Sequence, residues 1–264
     1  MSEQIPILPY RLFQRKEKTV LSRKIGVIGA GFIGGTLARD LAASGHQVTI
    51  ANSKSPDSLS QFTGVENLSI AWATDVVTNA DVVVISVPYK AIEKLSVQIS
   101  PILADETVII DTGNYYPNRD GRIPILDEGL PDSVWVSQLL GHPVFKVFNN
   151  IGAHNLQAKG SSDKSNRIAL AVSGPDTDAK NDVFELVDQL GFEPLYNGPL
   201  EESWRHQPGT PSYLQDFDAV TLKQSLAETR AADTADFHRL RDELVDFEAA
   251  AKQQARTMYG SDQL

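Results

Sequence analysis

The residues with the clearest chemical meaning are three glycines spaced G-x-G-x-x-G: Gly29, Gly31 and Gly34. In a dinucleotide site the first permits a tight turn, the second lets the backbone approach a pyrophosphate, and the third lets a helix pack closely on a strand. The motif lies between an apolar run at 25–28 and a stretch with helical spacing, and a second predicted strand follows at 47–51. This context indicates dinucleotide binding; a glycine-rich turn without a ligand is the alternative.

The residues after the second strand bear on which dinucleotide is bound. Asn52 stands where NAD-binding proteins place a carboxylate on the ribose hydroxyls. The hydroxyl of Ser53 and the ammonium of Lys54 would instead bind a 2′-phosphate, which a carboxylate would repel. We therefore predict NADP(H) as the cofactor, with a polar turn and a solvated lysine as the alternative.

The apolar run 81–87 is typical of a buried parallel strand, and its end carries Ser86, Val87, Pro88 and Tyr89. Ligands of open α/β sheets bind at the carboxyl ends of the strands, so these residues are expected beside the cofactor. Tyr89 could flank a nicotinamide ring or cover the end of the following helix, because an amphipathic ring suits either position.

Polar residues also follow the next two predicted strands. Asp111, Thr112 and Asn114 come after the run 107–110, and Asn149 and Asn150 come after the run 144–148. Their positions predict the same cofactor edge, where the asparagines could orient the amide of a cofactor or substrate. The alternative is that Asp111 caps a turn and that the asparagines bond their own backbone.

The predicted cofactor-binding residues share this edge or the glycine loop. They are Gly29, Gly31, Phe32, Ile33, Gly34, Asn52, Ser53, Lys54, Ser86, Val87, Pro88, Tyr89, Asp111, Asn114 and Asn149.

Residues suited to acid–base chemistry are few. His154, His206 and Tyr115 are candidate proton donors, although an isolated histidine in a loop is more often a surface or structural residue. Arg205 beside Trp204 could hold an anionic substrate or stack on the indole. No residues have the spacing of a metal site, so no metal is predicted.

Composition narrows the classes of partner. The 264 residues carry a net charge of −10 and no cysteine. The negative charge argues against nucleic acid or an anionic membrane as the main partner, and a small-molecule substrate is expected instead. The absence of cysteine suits a reducing cytosol, and we expect a cytoplasmic protein without a membrane span.

Strands and helices alternate along the chain, which predicts an α/β fold with a doubly wound, Rossmann-type, mostly parallel sheet and a C-terminal helical extension. The predicted strands are residues 25–28, 47–51, 69–72, 81–87, 107–110, 144–148, 167–173 and 192–196. The polar stretch after Asp111, rich in turn-forming residues, is the candidate substrate-side loop.

Changes in composition suggest four parts. They are a flexible arm at 1–22, an NADP-binding domain at 23–148, a smaller α/β continuation at 149–198, and a C-terminal loop with helices at 199–264. The last predicted helix, 235–258, carries an apolar stripe at Leu240, Leu244 and Phe247. Such a stripe could pack on the core or on a second subunit, and it suggests a homodimer.

Five segments resemble those of the coenzyme F420-dependent NADP reductase family. They are I-G-A-G-F-I-G at 28–34, A-N-S-K at 51–54, S-V-P-Y at 86–89, K-V-F-N-N-I at 146–151 and E-S-W-R-H-Q-P-G-T-P at 202–211. The resemblance implies NADP(H), with Ser53 and Lys54 on the 2′-phosphate and residues 87–89 beside the nicotinamide. It also implies hydride exchange with F420 or a flavin-like ring. The segment at 202–211 and the loop after Asp111 indicate a distinct branch of the family.

Three functions are compatible with the sequence. The first is an NADP(H)-dependent oxidoreductase that exchanges hydride with a flavin-like or deazaflavin acceptor, because the cofactors then carry the chemistry and no catalytic constellation is required. The second is an NADPH-dependent reductase of a small carbonyl or imine, which needs a proton donor. The third is a non-catalytic NADP(H)-sensing protein.

Overall fold

A computed structural model describes residues 22–243, so most of the predicted arm and the end of the last predicted helix, with Leu244 and Phe247, lie outside the described residues. Within that range the core is an eight-stranded sheet of order β3-β2-β1-β4-β5-β6-β7-β8. The strands are β1 Lys24–Ile28, β2 Gln47–Ala51, β3 Leu68–Ile70, β4 Val82–Ile85, β5 Val108–Asp111, β6 Val144–Lys146, β7 Ala169–Ser173 and β8 Glu193–Gly198.

The first six strands are parallel to one another. β7 runs antiparallel to β6, and β8 is parallel to β7, so the last two strands form a reversed pair at the sheet edge. The doubly wound, mostly parallel fold is thereby confirmed. Because β1, β2, β4, β5 and β6 share one direction, their carboxyl ends lie on one edge, which we call the cofactor edge.

Helices cover both faces of the sheet. The α-helices are α1 Phe32–Ala43, α2 Ala73–Val77, α3 Ile92–Ile99, α4 Pro117–Asp120, α5 Pro124–Asp127, α6 Asp132–Leu140, α7 Ala153–Ala158, α8 Ala179–Gln189, α9 Ala219–Glu228 and α10 Thr234–Asp242. Side chains of α1, α7 and α8 pack with Val82 and Val84 of β4, whereas those of α2, α3 and α6 pack with Val83 and Ile85. This alternation explains why the central strands are apolar on both faces.

Predicted and observed boundaries differ where the backbone leaves regular geometry. The strand predicted at 144–148 ends at Lys146, and Phe148 then takes a positive φ of 64°. The strand predicted at 69–72 lies at Leu68–Ile70. The candidate substrate-side loop contains two one-turn helices, α4 and α5. Short elements of this kind have too few residues to show a periodic pattern.

The C-terminal part packs back on the sheet. A 3-10 helix at Leu200–His206 follows β8, and α9 packs on β7 and β8 through Leu222 and Leu226. The following α10 contacts the candidate substrate-side loop, where Arg122 pairs with Asp242 at 2.9 Å and Arg241 with Asp127 at 3.4 Å. Among residues 22–243 no helix has the length and apolar character needed to cross a bilayer.

Candidate functional site

The glycine loop has the geometry that a pyrophosphate site requires. Gly29 has φ +114°, and a Cβ there would lie 2.0 Å from the carbonyl oxygen of Ser86. A Cβ on Gly34 would lie 2.0 Å from the carbonyl oxygen of Gly29, whereas a Cβ on Gly31 would meet no atom within 4 Å. No side chain caps the N-terminus of α1, and its first turn has no acidic residue. The loop therefore offers space and a favourable helix dipole to a phosphate.

The loop after β2 presents an exposed cation. Ser53 and Lys54 are exposed, and Lys54 forms no ion pair within residues 22–243. Asn52 uses its side chain locally: its Oδ1 accepts from the backbone N–H of Lys54 at 2.8 Å, and its Nδ2 donates to Ser58 at 3.0 Å. Asn52 thus shapes the turn, and the residues that can reach an anion are Ser53 and Lys54.

The loop after β4 contributes a small apolar surface at the cofactor edge. Val87 is half-buried and Pro88 is exposed, and the Ser86 N–H donates to the carbonyl of Ile28 at 2.8 Å. This bond ties the loop to the strand that carries the glycine motif. The two loops therefore share one rigid edge.

Two predicted cofactor residues turn their side chains away from this edge. Tyr89 is fully buried, its ring stacks on Trp135 with centroids 5.9 Å apart, and its hydroxyl donates to Asp111 at 2.7 Å. Asp111, also buried, accepts from the Ser133 hydroxyl at 2.7 Å and from the Gly113 N–H at 2.9 Å. The polar atoms of both side chains therefore find partners in the interior, and the bond from the Gly113 N–H matches the turn cap given above as the alternative for Asp111. Contact of either residue with a cofactor stays a prediction.

The interior beneath the edge contains a lysine that sequence reasoning missed. Lys146 of β6 is fully buried, and its Nζ donates to the carbonyl of Gly113 at 3.0 Å and to Ser133 at 3.1 Å. Asp132 lies 3.9 Å from the Nζ, and burial raises the pKa of this carboxyl. Lys146 therefore anchors the loop after β5 from below. The available signal was a charged residue inside the apolar run V-F-K-V-F.

Asn114 and Asn149 are hydrogen-bonded to each other where the loops after β5 and β6 meet. The side chain of Asn114 donates to the Asn149 carbonyl at 2.8 Å, and Asn149 Nδ2 donates to Asn114 Oδ1 at 3.0 Å. Asn149 Nδ2 also donates to the carbonyl of His206 at 2.8 Å. The loops after β5 and β6 are thereby joined to the C-terminal segment.

His206 is fully buried in a connected network. Its Nδ1 lies 2.8 Å from Asn149 Oδ1, so Nδ1 is the protonated nitrogen that donates. Its Nε2 lies 2.9 Å from the hydroxyl of Ser173, which itself accepts from Asn197 at 3.0 Å. The ring is neutral, because burial and the nearby Lys146 charge hold the pKa of His206 well below its usual value.

The other candidate proton donors lie apart from this network. The hydroxyl of Tyr115 donates to Asp127 at 3.1 Å and accepts from the Ile123 N–H at 2.9 Å. Burial raises the pKa of the Tyr115 hydroxyl. His154 is half-buried on the first turn of α7. The structure brings neither of them to His206.

The segment around Trp204 is held by internal contacts. The guanidinium of Arg205 lies 4.5 Å from the centroid of the Trp204 ring, and its Nε donates to Glu202 at 2.6 Å. The same guanidinium donates to the carbonyls of Leu226 and Thr229. Of the two roles predicted for Arg205, the geometry supports stacking and anchoring.

Together, the fold and the glycine loop define a Rossmann-type dinucleotide-binding protein. A model of the family described as NADP oxidoreductase, coenzyme F420-dependent, matches residues 24–115. A crystal structure of a hypothetical protein of Sinorhizobium meliloti, SMa0349, is similar with a TM-score of 0.65 and 31% identity, covering 74% of this chain and 95% of that chain. The chain belongs to this family of NADP-linked oxidoreductases.

Three further proteins are similar to parts of the chain. A candidate F420-dependent NADP reductase of Arthrobacter sp. FB24 gives a TM-score of 0.58 at 26% identity, covering 68% of this chain and 86% of that one. The Escherichia coli K12 protein YjhV is 42% identical over 69 residues, which are 26% of this chain and about half, 48%, of YjhV. A 3-hydroxyisobutyrate dehydrogenase of Mycobacterium tuberculosis, at 16% identity, covers 68% of this chain and 55% of that one with a TM-score of 0.53 and shares the fold.

Proposed function

We propose that this protein transfers hydride between NADPH and a flavin-like or deazaflavin acceptor at the cofactor edge. Its membership of a family of NADP-linked oxidoreductases supports the NADP half of the proposal. The family is described as coenzyme F420-dependent and the Arthrobacter relative as an F420-dependent NADP reductase, which supports a deazaflavin as the acceptor.

One observation supports a ring as the hydride acceptor. In the described part of the chain, the buried side chains of His206, Lys146 and Tyr115 are already hydrogen-bonded within the protein. Both ring nitrogens of His206 are hydrogen-bonded within the protein, and the Nζ of Lys146 contacts Gly113 and Ser133. The hydroxyl of Tyr115 is likewise bonded to its neighbours. Hydride exchange between two rings needs little acid–base help, whereas carbonyl or imine reduction needs a positioned proton donor.

The residues of the edge would then act by binding and orientation. Bound NADPH would supply the hydride. The N-terminus of α1, which no side chain caps, and the space over Gly31 suit its pyrophosphate, and Lys54 suits its 2′-phosphate. Val87 and Pro88 would cover one face of a ring, and the Asn114–Asn149 pair would keep the neighbouring loops fixed. Accurate positioning of this kind can supply a large part of a rate enhancement.

The direct test is oxidation of NADPH by the purified protein with FMN, FAD and a deazaflavin offered in parallel. We expect turnover with a flavin or the deazaflavin. Turnover only with small carbonyls or imines would replace the proposal by the second function. Tight NADPH binding without any turnover would support the NADP(H)-sensing protein instead.

The cofactor preference has its own test, the charge reversal Lys54→Glu. Loss of a charge-assisted contact to the 2′-phosphate should weaken NADPH binding by about 1.5–3 kcal/mol. NADH has no 2′-phosphate, so its affinity should change much less. Titration of both cofactors into both proteins measures the effect, and an equal change for NADH and NADPH would contradict the 2′-phosphate assignment.

A further inference from the structure

Unpartnered polar atoms concentrate in one part of the described structure. Six buried side-chain nitrogen or oxygen atoms among residues 22–243 have no hydrogen-bond partner. Four of the six belong to Asn150, Ser203 and Gln207. A buried polar group without a partner costs about 1–3 kcal/mol, so such a concentration is expected at a place where a ligand supplies the missing partners.

These three residues lie on two segments that are locked together. Asn149, which precedes Asn150, bonds both the ring and the carbonyl of His206, which precedes Gln207. The carbonyl of Asn150 accepts from the Leu214 N–H at 3.0 Å. Asn150 is 1% exposed. Hydrogen bonds therefore fix the backbone around Asn150 and its neighbour His206 after the end of β6.

Asn149 and Asn150 differ in the hydrogen bonding of their side chains. Asn149 uses its amide nitrogen and its amide oxygen in bonds to Asn114 and His206. Both polar atoms of the Asn150 side chain are unpartnered. Asn149 thus serves the fold, and the amide of Asn150 offers two donor hydrogens and an acceptor. The Gln207 nitrogen and the Ser203 hydroxyl add further donors and an acceptor.

We propose that Asn150, with Gln207 and Ser203, forms a subsite for an amide edge on one of the rings that exchange hydride. The side-chain amide of Asn150 presents a donor beside an acceptor. A carboxamide of a ligand can pair with it through two reciprocal hydrogen bonds. Both the nicotinamide carboxamide and the pyrimidinedione edge of a flavin-like ring carry this chemistry. The proposal rests on the proposed function, because it assigns these residues to the same bound rings.

The test compares ligands that differ only in the amide edge. NADPH and its reduced 3-acetylpyridine analogue, which keeps the carbonyl but lacks the N–H donors, are titrated by fluorescence into the wild type and into Asn150→Leu. If the subsite binds the nicotinamide, the wild type should prefer NADPH by roughly 3- to 10-fold, the range of one hydrogen bond. Asn150→Leu should lose that preference.

A second arm addresses the acceptor ring. The KM for FMN is compared with that for N3-methyl FMN, which lacks the ring N–H, in the same two proteins. A preference that only the wild type shows would assign the subsite to the acceptor. If Asn150→Leu changes neither preference, the subsite is refuted while NADPH binding and turnover still support the proposed function. A wild type that binds no NADPH would refute both.

The melting temperature distinguishes an asparagine that binds a ligand from one that only supports the fold. Asn150→Leu removes two unsatisfied atoms at similar volume, so its Tm should equal or exceed that of the wild type. Asn149→Leu breaks satisfied bonds and should lower the Tm. An equal loss in both variants would overturn the proposal. Should Asn150→Leu fail to fold, Gln207→Leu carries the same ligand comparison.

Discussion

The two ends of the cofactor edge are built in different ways. At the glycine loop the important contacts are close backbone approaches, between the carbonyl of Gly29 and the backbone of Gly34 and between Gly29 and the carbonyl of Ser86. At the other end, Asn149 and His206 are 57 positions apart and meet through buried hydrogen bonds. The first end depends on backbone conformation, and the second depends on satisfied polar groups. Substitutions should therefore damage the two ends in different ways.

The largest expected effect concerns the buried lysine beneath the second end. Lys146→Met would leave Asp132 buried without its cation, and removing one partner of a buried pair costs about 3–5 kcal/mol. The matched control is Lys164→Met, because Lys164 is exposed and pairs with Asp188 at the surface. Urea unfolding measures both variants. A loss no larger than that of the control would show that Lys146 is dispensable to the fold.

At the glycine loop, adding a single methyl group should change stability at one position and NADPH binding at another. In Gly34→Ala the new Cβ would clash with the carbonyl of Gly29, so we expect a loss of about 1–3 kcal/mol in unfolding free energy. Gly31→Ala has room for its Cβ and should keep its stability, yet it should bind NADPH more weakly because the backbone can no longer approach the pyrophosphate. If both variants behave alike in calorimetry and NADPH titration, the two glycines do not have these separate roles.

The smallest effect is a pH dependence at the second end. The folded-state pKa of His206 lies below its unfolded value of 6.5. As the pH falls below 6.5, the unfolded chain therefore binds a proton at His206 that the folded protein does not bind. Stability is therefore complete above that pH and is lost below it, at up to about 1.4 kcal/mol per pH unit. In His206→Gln the free energy of unfolding should depend less on pH than in the wild type. The lowered pKa values of His46 and His238 contribute to the pH dependence of both proteins.

The same variant sharpens the functional assignment. If hydride passes between two rings, His206→Gln should keep most of its turnover at neutral pH, because no proton from the imidazole is required. Stopped-flow measurement of NADPH oxidation checks this expectation. A collapse of the rate in a folded variant would favour acid catalysis and the carbonyl or imine reductase.

The sequence by itself determined the parallel core, the glycine loop and the exposed loop at Ser53 and Lys54. These features follow from local rules, since strand periodicity, positive φ and close backbone approach each restrict the residue type at particular positions. The binding roles of these residues remain predictions. The sequence left two places open for the ring of Tyr89, and its buried bond to Asp111 comes from the fold.

Only the tertiary structure decided how the second end is assembled. Nothing in the local pattern could show that Asp111 bonds Tyr89 and Ser133, or that Asn149 is satisfied while Asn150 is not. The reversal of β7 against β6 is likewise a property of strand pairing and not of either strand alone. The physical reason is that a polar side chain has several possible partners, and the choice among them is made by segments far apart in sequence.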